Sequence, residues 1–436
     1  MKSIWNEDAG RVKFSPMEGD IKTDVLIIGG GMAGLLCAYM LKKKGIDCVV
    51  VEAGEILCGI TKNTTAKITI QHGIIYDRII RTYGIEAARG YLNASSSALE
   101  EFKRLCKNTD CDFEERDAYV FSRTEEGRER IEKELLAMHR IGYPADFLEK
   151  TPLPFDVKGA IRVRRQAQFH PLKFAYKLAR DLCVYENTKV LELTPDGAVT
   201  NRGKIKSKET IVATHFPFLN KHGSYFLKMY QERSYVLALE GAEDVNGMYI
   251  DESGKGLSFR NYKGLLLLGG GAHRTGKNST GWRVLDDFAK RFYPKAKAVA
   301  RWATQDCMTL DGIPYIGKYS GRTENLYVAT GFNKWGMTSS MVAAMILSDK
   351  ICGKENEYAD VFSPSRSIIH PQLAVNAAEA LMGFLNPFAP RCPHLGCSLK
   401  YNRAERSWDC PCHGSRFTED GELIDNPATD DKRAGI

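Results

Sequence analysis

Residues 24–54 read DVLIIGGGMAGLLCAYMLKKKGIDCVVVEAG, and the order of features in this stretch decides the fold. Val25 to Ile28 is an apolar run expected to form a short buried strand. Gly29, Gly31 and Gly34 space as G-x-G-x-x-G, and Leu35, Leu36, Tyr39 and Leu41 recur at helical spacing. A second strand is expected over Asp47 to Val51, ending at Glu52. The glycines permit a tight turn, close approach of the backbone to a pyrophosphate and close packing of helix on strand, with the phosphates at the helix N-terminus. Glu52 lies eighteen residues past Gly34, where a carboxylate accepts both ribose hydroxyls of an adenosine and disfavours a 2'-phosphate. Strand, glycines, helix, strand and acid in this order mark an α/β nucleotide-binding domain. NAD and FAD are not separated by this stretch.

Residues 311–347, DGIPYIGKYSGRTENLYVATGFNKWGMTSSMVAAMIL, separate them. A strand is expected over Asn325 to Thr330, a glycine-bounded loop over Gly331 to Gly336 and an apolar helix over Met337 to Leu347. A second helix N-terminus directed at a cofactor suits a reduced flavin, whose N1/C2=O region becomes anionic. Here the chain resembles the D-amino-acid oxidase/glycine oxidase superfamily of FAD-dependent oxidoreductases, in which a G-F-x-x-x-G-x-T segment closes the flavin site. Gly331, Phe332, Gly336, Met337 and Thr338 stand in that pattern.

The resemblance covers most of residues 22–352. It implies that CGITKNTTAKIT, residues 58–69, borders the flavin ring and pyrophosphate, with Thr65 among the contacts. It further implies that Val190 meets adenine through its backbone and that Ala213 and Thr214 lie near the dinucleotide. The fold it implies is a Rossmann-like FAD-binding domain built from residues 1–75, 161–224 and 301–352. An α+β substrate domain, residues 76–160 and 225–300, is inserted into it and caps the flavin with an antiparallel sheet. The surroundings of Cys307 do not match relatives that attach FAD through a cysteine, so non-covalent FAD is expected.

One segment departs from the superfamily pattern. In WATQDCMTLDGIPYIG, residues 302–317, Asp306 stands where amino-acid oxidases of the superfamily carry an Arg that pairs with the substrate carboxylate. A carboxylate does not bind a carboxylate unless one is protonated, so a cationic substrate such as an amine fits Asp306 better. Arg260 in SFRNY and Arg274 in GGGAHRTG are further candidates for substrate-facing cations, and His72, His215 and His273 are candidate bases. Flavin dehydrogenation needs little side-chain acid/base chemistry, so the catalytic residue itself is left open.

Four of the twelve cysteines, Cys392, Cys397, Cys410 and Cys412, fall with two histidines inside CPHLGCSLKYNRAERSWDCPCHGS, residues 392–415. In a reducing compartment such a cluster favours a metal or redox centre over a disulfide framework. Zinc accepts two Cys and two His, but classical fingers draw the cysteines from a hairpin and the histidines from a helix. One Cys and one His from each of two loops suits a two-iron, two-sulfur centre. The segment resembles the Rieske motif C-x-H-L-G-C…C-P-C-H-G-S. That resemblance implies Cys392 and Cys410 on one iron, His394 and His413 on the other, and a disulfide between Cys397 and Cys412. It also implies Ser415 as a donor to cluster sulfur, and the two histidines as the exposed exit for electrons.

Imidazole ligands raise the potential of such centres, to about −150 to +300 mV. Phe417 stands where high-potential members have a tyrosine, so a lower potential is expected here. Rieske domains normally have several strands ahead of the first loop, whereas residues 371–391 read as a helix and a short turn. A linker and helix over 353–385 and a truncated, β-rich 2Fe-2S module over 386–436 are therefore expected. So short a module lacks an independent core and should pack on the flavoprotein.

The 436 residues, 43% hydrophobic and 26% charged, suit two or three globular domains. A net charge of +7 is modest, and the densest basic run, Arg162, Arg164 and Arg165, reads as a solvated face, so no nucleic-acid partner is expected. The start has no apolar leader, and Val25 to Leu41 is interrupted by four glycines, so a cytoplasmic chain with no membrane span is expected. The function these features imply is oxidation of a small molecule, an amine or amino acid, by FAD, with electrons passed singly through the cluster to or from an external acceptor or donor. The alternative is a redox sensor or electron-transfer adaptor with no substrate of its own.

Overall fold

The computed structural model describes all residues except 1, 2, 8, 219–221, 255, 385–388 and 432–436. The first three residues of the expected cluster module, 386–388, and its last five lie outside that set.

The strand expected at Val25 runs Ile21–Ile28, and its last four side chains are all buried. Burial on both faces is the mark of a parallel sheet covered by helices. It pairs in parallel with Cys48–Val51 on one side and Gly203–Val212 on the other. Val184–Tyr185 and Leu326–Thr330 extend the parallel order outward, and Tyr315–Lys318 closes one edge antiparallel. A hairpin, Val190–Thr194 and Gly197–Thr200, makes this an eight-stranded sheet among the described residues. The helices Met32–Lys43 and Gly336–Ile351 pack side by side, each buried along most of its length, as expected of helices that are apolar on every face.

The second sheet has nine described strands: eight run from Lys297–Thr309 through Met229–Glu240, Leu265–Arg274, Ser258–Tyr262, Met248–Asp251, Glu114–Ser122 and Gly159–Gln168 to Lys67–Ile68, and Asp146–Leu148 pairs with Gly159–Gln168 off this path. The boundaries expected at residues 161 and 301 fall inside two of these strands. Every pairing in it is antiparallel except Met248–Asp251 with Glu114–Ser122. The run Arg162, Arg164 and Arg165 is ion-paired at the surface with Asp146 and Glu115.

Within this sheet, Met229–Glu240 and Lys297–Thr309 lie side by side with Gln231 opposite Cys307, Glu232 opposite Asp306 and Arg233 opposite Gln305. Side chains alternate between faces along a strand. The even-numbered set Tyr230, Glu232, Thr304, Asp306 and Met308 lines a large cavity. The odd-numbered set Gln231, Arg233 and Gln305 reaches the C-terminal module on the other face. Cys307 belongs to the odd set and is buried away from the cavity.

That module is a sheet of four short strands, Lys400–Asn402, Ser407–Asp409, Arg416–Phe417 and Leu423–Asp425, around a small core of its cysteines with Leu399, Phe417 and Ala428. The helix Pro371–Phe384 supplies the missing base. The Gly383 carbonyl accepts from Ser398 N and Oγ at 2.9 and 2.7 Å, and a side chain at Gly383 would come within 2.8 Å of the Cys412 sulfur.

With so little apolar area, the module is held largely by polar contacts. The buried Arg416 guanidinium bonds Glu405, Asp409 and Asp425, each at 3.0 Å, and Arg233 of the substrate sheet binds the same Glu405. Burial alone would raise the Glu405 carboxyl, but Arg233 and Arg416 pull it down to about 2.

Replacing Arg416 leaves the buried Asp409 carboxylate without a counter-charge and Glu405 and Asp425 with Arg233 alone, at a cost of about 3–5 kcal/mol. Arg416→Met should therefore give a separate early transition in denaturant, with loss of the cluster signal; one transition at the wild-type midpoint would contradict this arrangement.

Candidate functional site

The cavity on the even-numbered face has a volume of about 990 Å³, at the upper end for ligand sites. Its floor is the glycine turn. A Cβ on Gly34 would stand 1.9 Å from the Gly29 carbonyl oxygen, so glycine there allows helix and strand to touch. A Cβ on Gly31 would meet only Thr61 Oγ1, at 3.7 Å, leaving open space at the N-terminus of Met32–Lys43. That space and the helix dipole suit a pyrophosphate. Glu52 accepts from the N–H groups of Gly30 at 2.8 Å and Gly54 at 3.0 Å, which hold its carboxylate at the cavity wall. Burial pushes this carboxyl up, and those N–H groups oppose the shift.

Gly29, Gly31, Glu52, Thr65, Val190, Ala213, Phe332, Gly336 and Met337 all line the cavity. Gly34, Gly331 and Thr338 stand behind its surface. Gly331 takes φ +69°, and a Cβ there would approach Thr309 to 2.3 Å. Thr338 Oγ1 donates to Thr69 O at 2.9 Å and accepts from Thr69 N at 3.2 Å, fixing the helix Gly336–Ile351 to the segment after Thr65. The two helix N-termini thus border one elongated space, the shape an extended dinucleotide requires.

At the other end Asp306 and Glu232 stand side by side on neighbouring strands. Glu232 pairs with Lys334 at 2.7 Å, whereas Asp306 forms no ion pair with a described residue. Burial pushes the Asp306 carboxyl up to about 6, a shift partly offset by Lys334. Glu232 went unnoticed in the sequence because only strand register brings it to Asp306. Lys334 was legible in principle, since it lies inside the GFNKWG loop. Lys67, also missed, lines the cavity and donates to Thr65 Oγ1 at 3.3 Å.

Neither Arg260 nor Arg274 lines the cavity. Arg260 is fully buried and donates to the carbonyls of Thr65 and Ala66 at 2.7 and 2.8 Å, so it shapes the wall from behind. Arg274 donates to the carbonyls of Pro411 and Cys412 at 2.9 and 3.1 Å and to Asn376 at 2.9 Å, so it anchors the cluster module. His72 lines the cavity, bonds Tyr91 and Thr69 through its two nitrogens at 2.6 and 2.7 Å and stacks on Trp335, and burial drives it down to about 3. His273 stacks on Tyr235 outside the cavity. His215 does line it, and burial lowers it to about 4.

The two cysteine loops fold alike. Cys392 N donates to Cys397 O at 2.8 Å and Gly396 N to Cys392 O at 2.9 Å; Cys410 N donates to Ser415 O at 2.8 Å and Gly414 N to Cys410 O at 2.9 Å. The glycines at the matching place take φ +77° and +87°. This repeat turns both loops inward. The sulfurs of Cys397, Cys410 and Cys412 lie within 4.8 Å of one another, and the Cys392 thiol meets Cys410 and the Ser415 hydroxyl. The His394 and His413 rings face each other at 5.0 Å and 85°, and His413 Nδ1 is buried with no described hydrogen-bond partner. Sulfur and imidazole donors from paired loops fit a 2Fe-2S cluster. Cys397 and Cys412 are both thiols in the structure.

The expectation that both histidines are exposed does not hold. His413 is only 5% exposed and packs against Phe216 and Phe226, while its carbonyl accepts from Gln231 at 2.8 Å. His413 thus faces the flavoprotein, and of the two only His394 remains partly open. No described helix is long and apolar enough to cross a membrane.

Residues 24–350 match the family model for FAD dependent oxidoreductases, and residues 361–433 match that for the Rieske [2Fe-2S] domain. The Rieske 2Fe-2S iron-sulfur protein YhfW of Bacillus subtilis is 35% identical, over 98% of this chain and 96% of its own length. Gamma-glutamylputrescine oxidoreductase of Escherichia coli is 23% identical, over 80% of this chain and 88% of its own. Glycine oxidase from Geobacillus kaustophilus superposes with a TM-score of 0.67 at 20% identity, covering 79% of this chain and all but 1% of that one, a likeness of fold. The open cradle at Gly31, the wall carboxylate Glu52 and the paired cysteine loops agree with these matches: the chain belongs to the FAD dependent oxidoreductase family and carries a Rieske [2Fe-2S] domain at its C-terminal end.

Proposed function

We propose that this oxidoreductase dehydrogenates a small cationic amine and passes the electrons singly, by way of the Rieske cluster, to an external redox partner. The carrying observation is Asp306, a cavity carboxylate without an ion-pair partner among the described residues, at the place where the superfamily's amino-acid oxidases have an Arg. A substrate ammonium group would supply its missing counter-charge. One relative's name, gamma-glutamylputrescine oxidoreductase, is in keeping with an amine.

In this reading Gly29, Gly31, Glu52, Val190 and Ala213 hold the dinucleotide half of FAD. Thr65 and the Phe332–Thr338 loop border its ring. When bound, FAD takes two electrons as a hydride and the cluster takes one. Asp306 binds and orients the cation, and Lys334 keeps Glu232 neutralised so that one acid is presented. Gln231 and Gln305 fix the backbone around His413, at the face of the module turned towards the cavity wall. Cys397 and Cys412, thiols in the structure with sulfurs within 4.8 Å of each other, would brace the two loops once oxidised to a disulfide.

Asp306 must be ionised to hold a cation, so binding of an amine should strengthen as pH rises from 5 to 7, through the value of about 6. In anaerobic mixing with amines, amino acids and hydroxy acids, an amine should bleach the flavin. Asp306→Asn should weaken its apparent binding about tenfold or more, roughly 1.4 kcal/mol, and flatten that pH dependence. Equal bleaching by wild type and variant, or none from any compound, would sink the amine reading.

Phe417 is fully buried in the module core. It has no hydroxyl to stabilise electron density at the cluster, so a low potential fits a module that serves a flavin. Restoring a donor with Phe417→Tyr should raise the potential by about 40 mV, taking one hydrogen bond as about 1 kcal/mol. An EPR-monitored redox titration measures it, and an unchanged or lower value would count against this account.

A further inference from the structure

The cluster module also reaches around the sheet edge into the cavity. Its last strand and the turn after it supply Leu423, Asn426, Ala428 and Thr429 to the cavity wall, beside Lys189, Val190 and Thr214. This is the end of the space where adenosine and pyrophosphate belong.

Asn426 is the clasp. Its Nδ2 donates to the carbonyls of Thr214 at 2.6 Å and Phe216 at 2.8 Å, and its own carbonyl accepts from Gln231 at 2.9 Å. The residue between those two carbonyls, His215, holds φ +65°, uncommon for a non-glycine residue, and its carbonyl accepts from Thr330. On the far side, Lys189 donates to the Thr429 carbonyl. Between them, Ala428 N donates at 3.0 Å to Ser415 Oγ, the same hydroxyl that meets the Cys392 thiol. A short polar chain therefore runs from a cluster ligand, through Ser415 and Ala428, to the loop over the dinucleotide.

We propose that Leu423–Thr429 is a wall of the FAD site supplied by the Rieske module, so that FAD leaves only when this segment detaches. The inference rests on the reading of Val190, Ala213 and Thr214 as the dinucleotide end, and not on the identity of the substrate. By linkage, whatever holds the module in place also retains FAD, and FAD in turn favours the docked module.

The test uses the full chain loaded with both cofactors and diluted into FAD-free buffer, with release followed by the rise in free-flavin fluorescence. No substrate is present, so failure here leaves the amine reading untouched. Asn426→Ala should release FAD at least tenfold faster while keeping the cluster EPR signal. Wild-type protein stripped of iron by a chelator should also release it faster, and this second arm needs no substitution that could impair folding. Acceleration in either arm supports the wall; release within twofold of the untreated wild type in both arms overturns it.

Discussion

The two-residue alternation of a β-strand governs how this molecule is assembled. Met229–Glu240 and Lys297–Thr309 form one layer, and every second side chain in it is committed to a different task. Glu232 and Asp306 face the flavin cavity, whereas Gln231, Arg233 and Gln305 grip the cluster module. A one-residue slip in either strand would exchange these roles, turning acids towards the module and amides towards the substrate. The cavity and the paired cysteine loops are thereby placed on opposite faces of one sheet.

The second constraint is the module's size. Its apolar core consists largely of its own cysteines, so folding and docking rest on buried charge and backbone hydrogen bonds. Buried ion pairs contribute little net stability against an apolar equivalent but are costly to break, which makes the docked arrangement specific. For Glu405 the sign is clear: its folded value of about 2 lies below its ordinary 4.5, so its stabilisation is present above pH 4.5 and is lost as pH falls towards 2. Burial of His413 in the interface follows from the same docking, because Gln231 and Gln305 hold the carbonyls of His413 and Gly414.

Local patterns were legible in the sequence where local physics decides. Turn glycines, the acid after the second strand and the paired cysteine loops each depend on neighbours a few residues away. Arg260 could not be read in this way, because its partners, the carbonyls of Thr65 and Ala66, lie 195 and 194 residues distant. Arg274 likewise finds its partners 102 to 138 residues away, in a module the sequence placed only loosely. The substrate sheet extends past the expected boundaries because Gly159–Gln168 carries mixed burial along its length and the first half of Lys297–Thr309 is largely exposed. Asp306 was visible as a departure from a motif, but Glu232 beside it required the register.

The central claim is that substrate oxidation at the cavity ends in one-electron reduction of the cluster across the sheet. Anaerobic mixing of the fully loaded protein with a substrate that bleaches its flavin, followed by freezing and EPR, measures this directly. The account predicts the signal of a reduced Rieske cluster growing in after bleaching, without any added mediator. A bleached flavin beside a cluster that stays oxidised would contradict it.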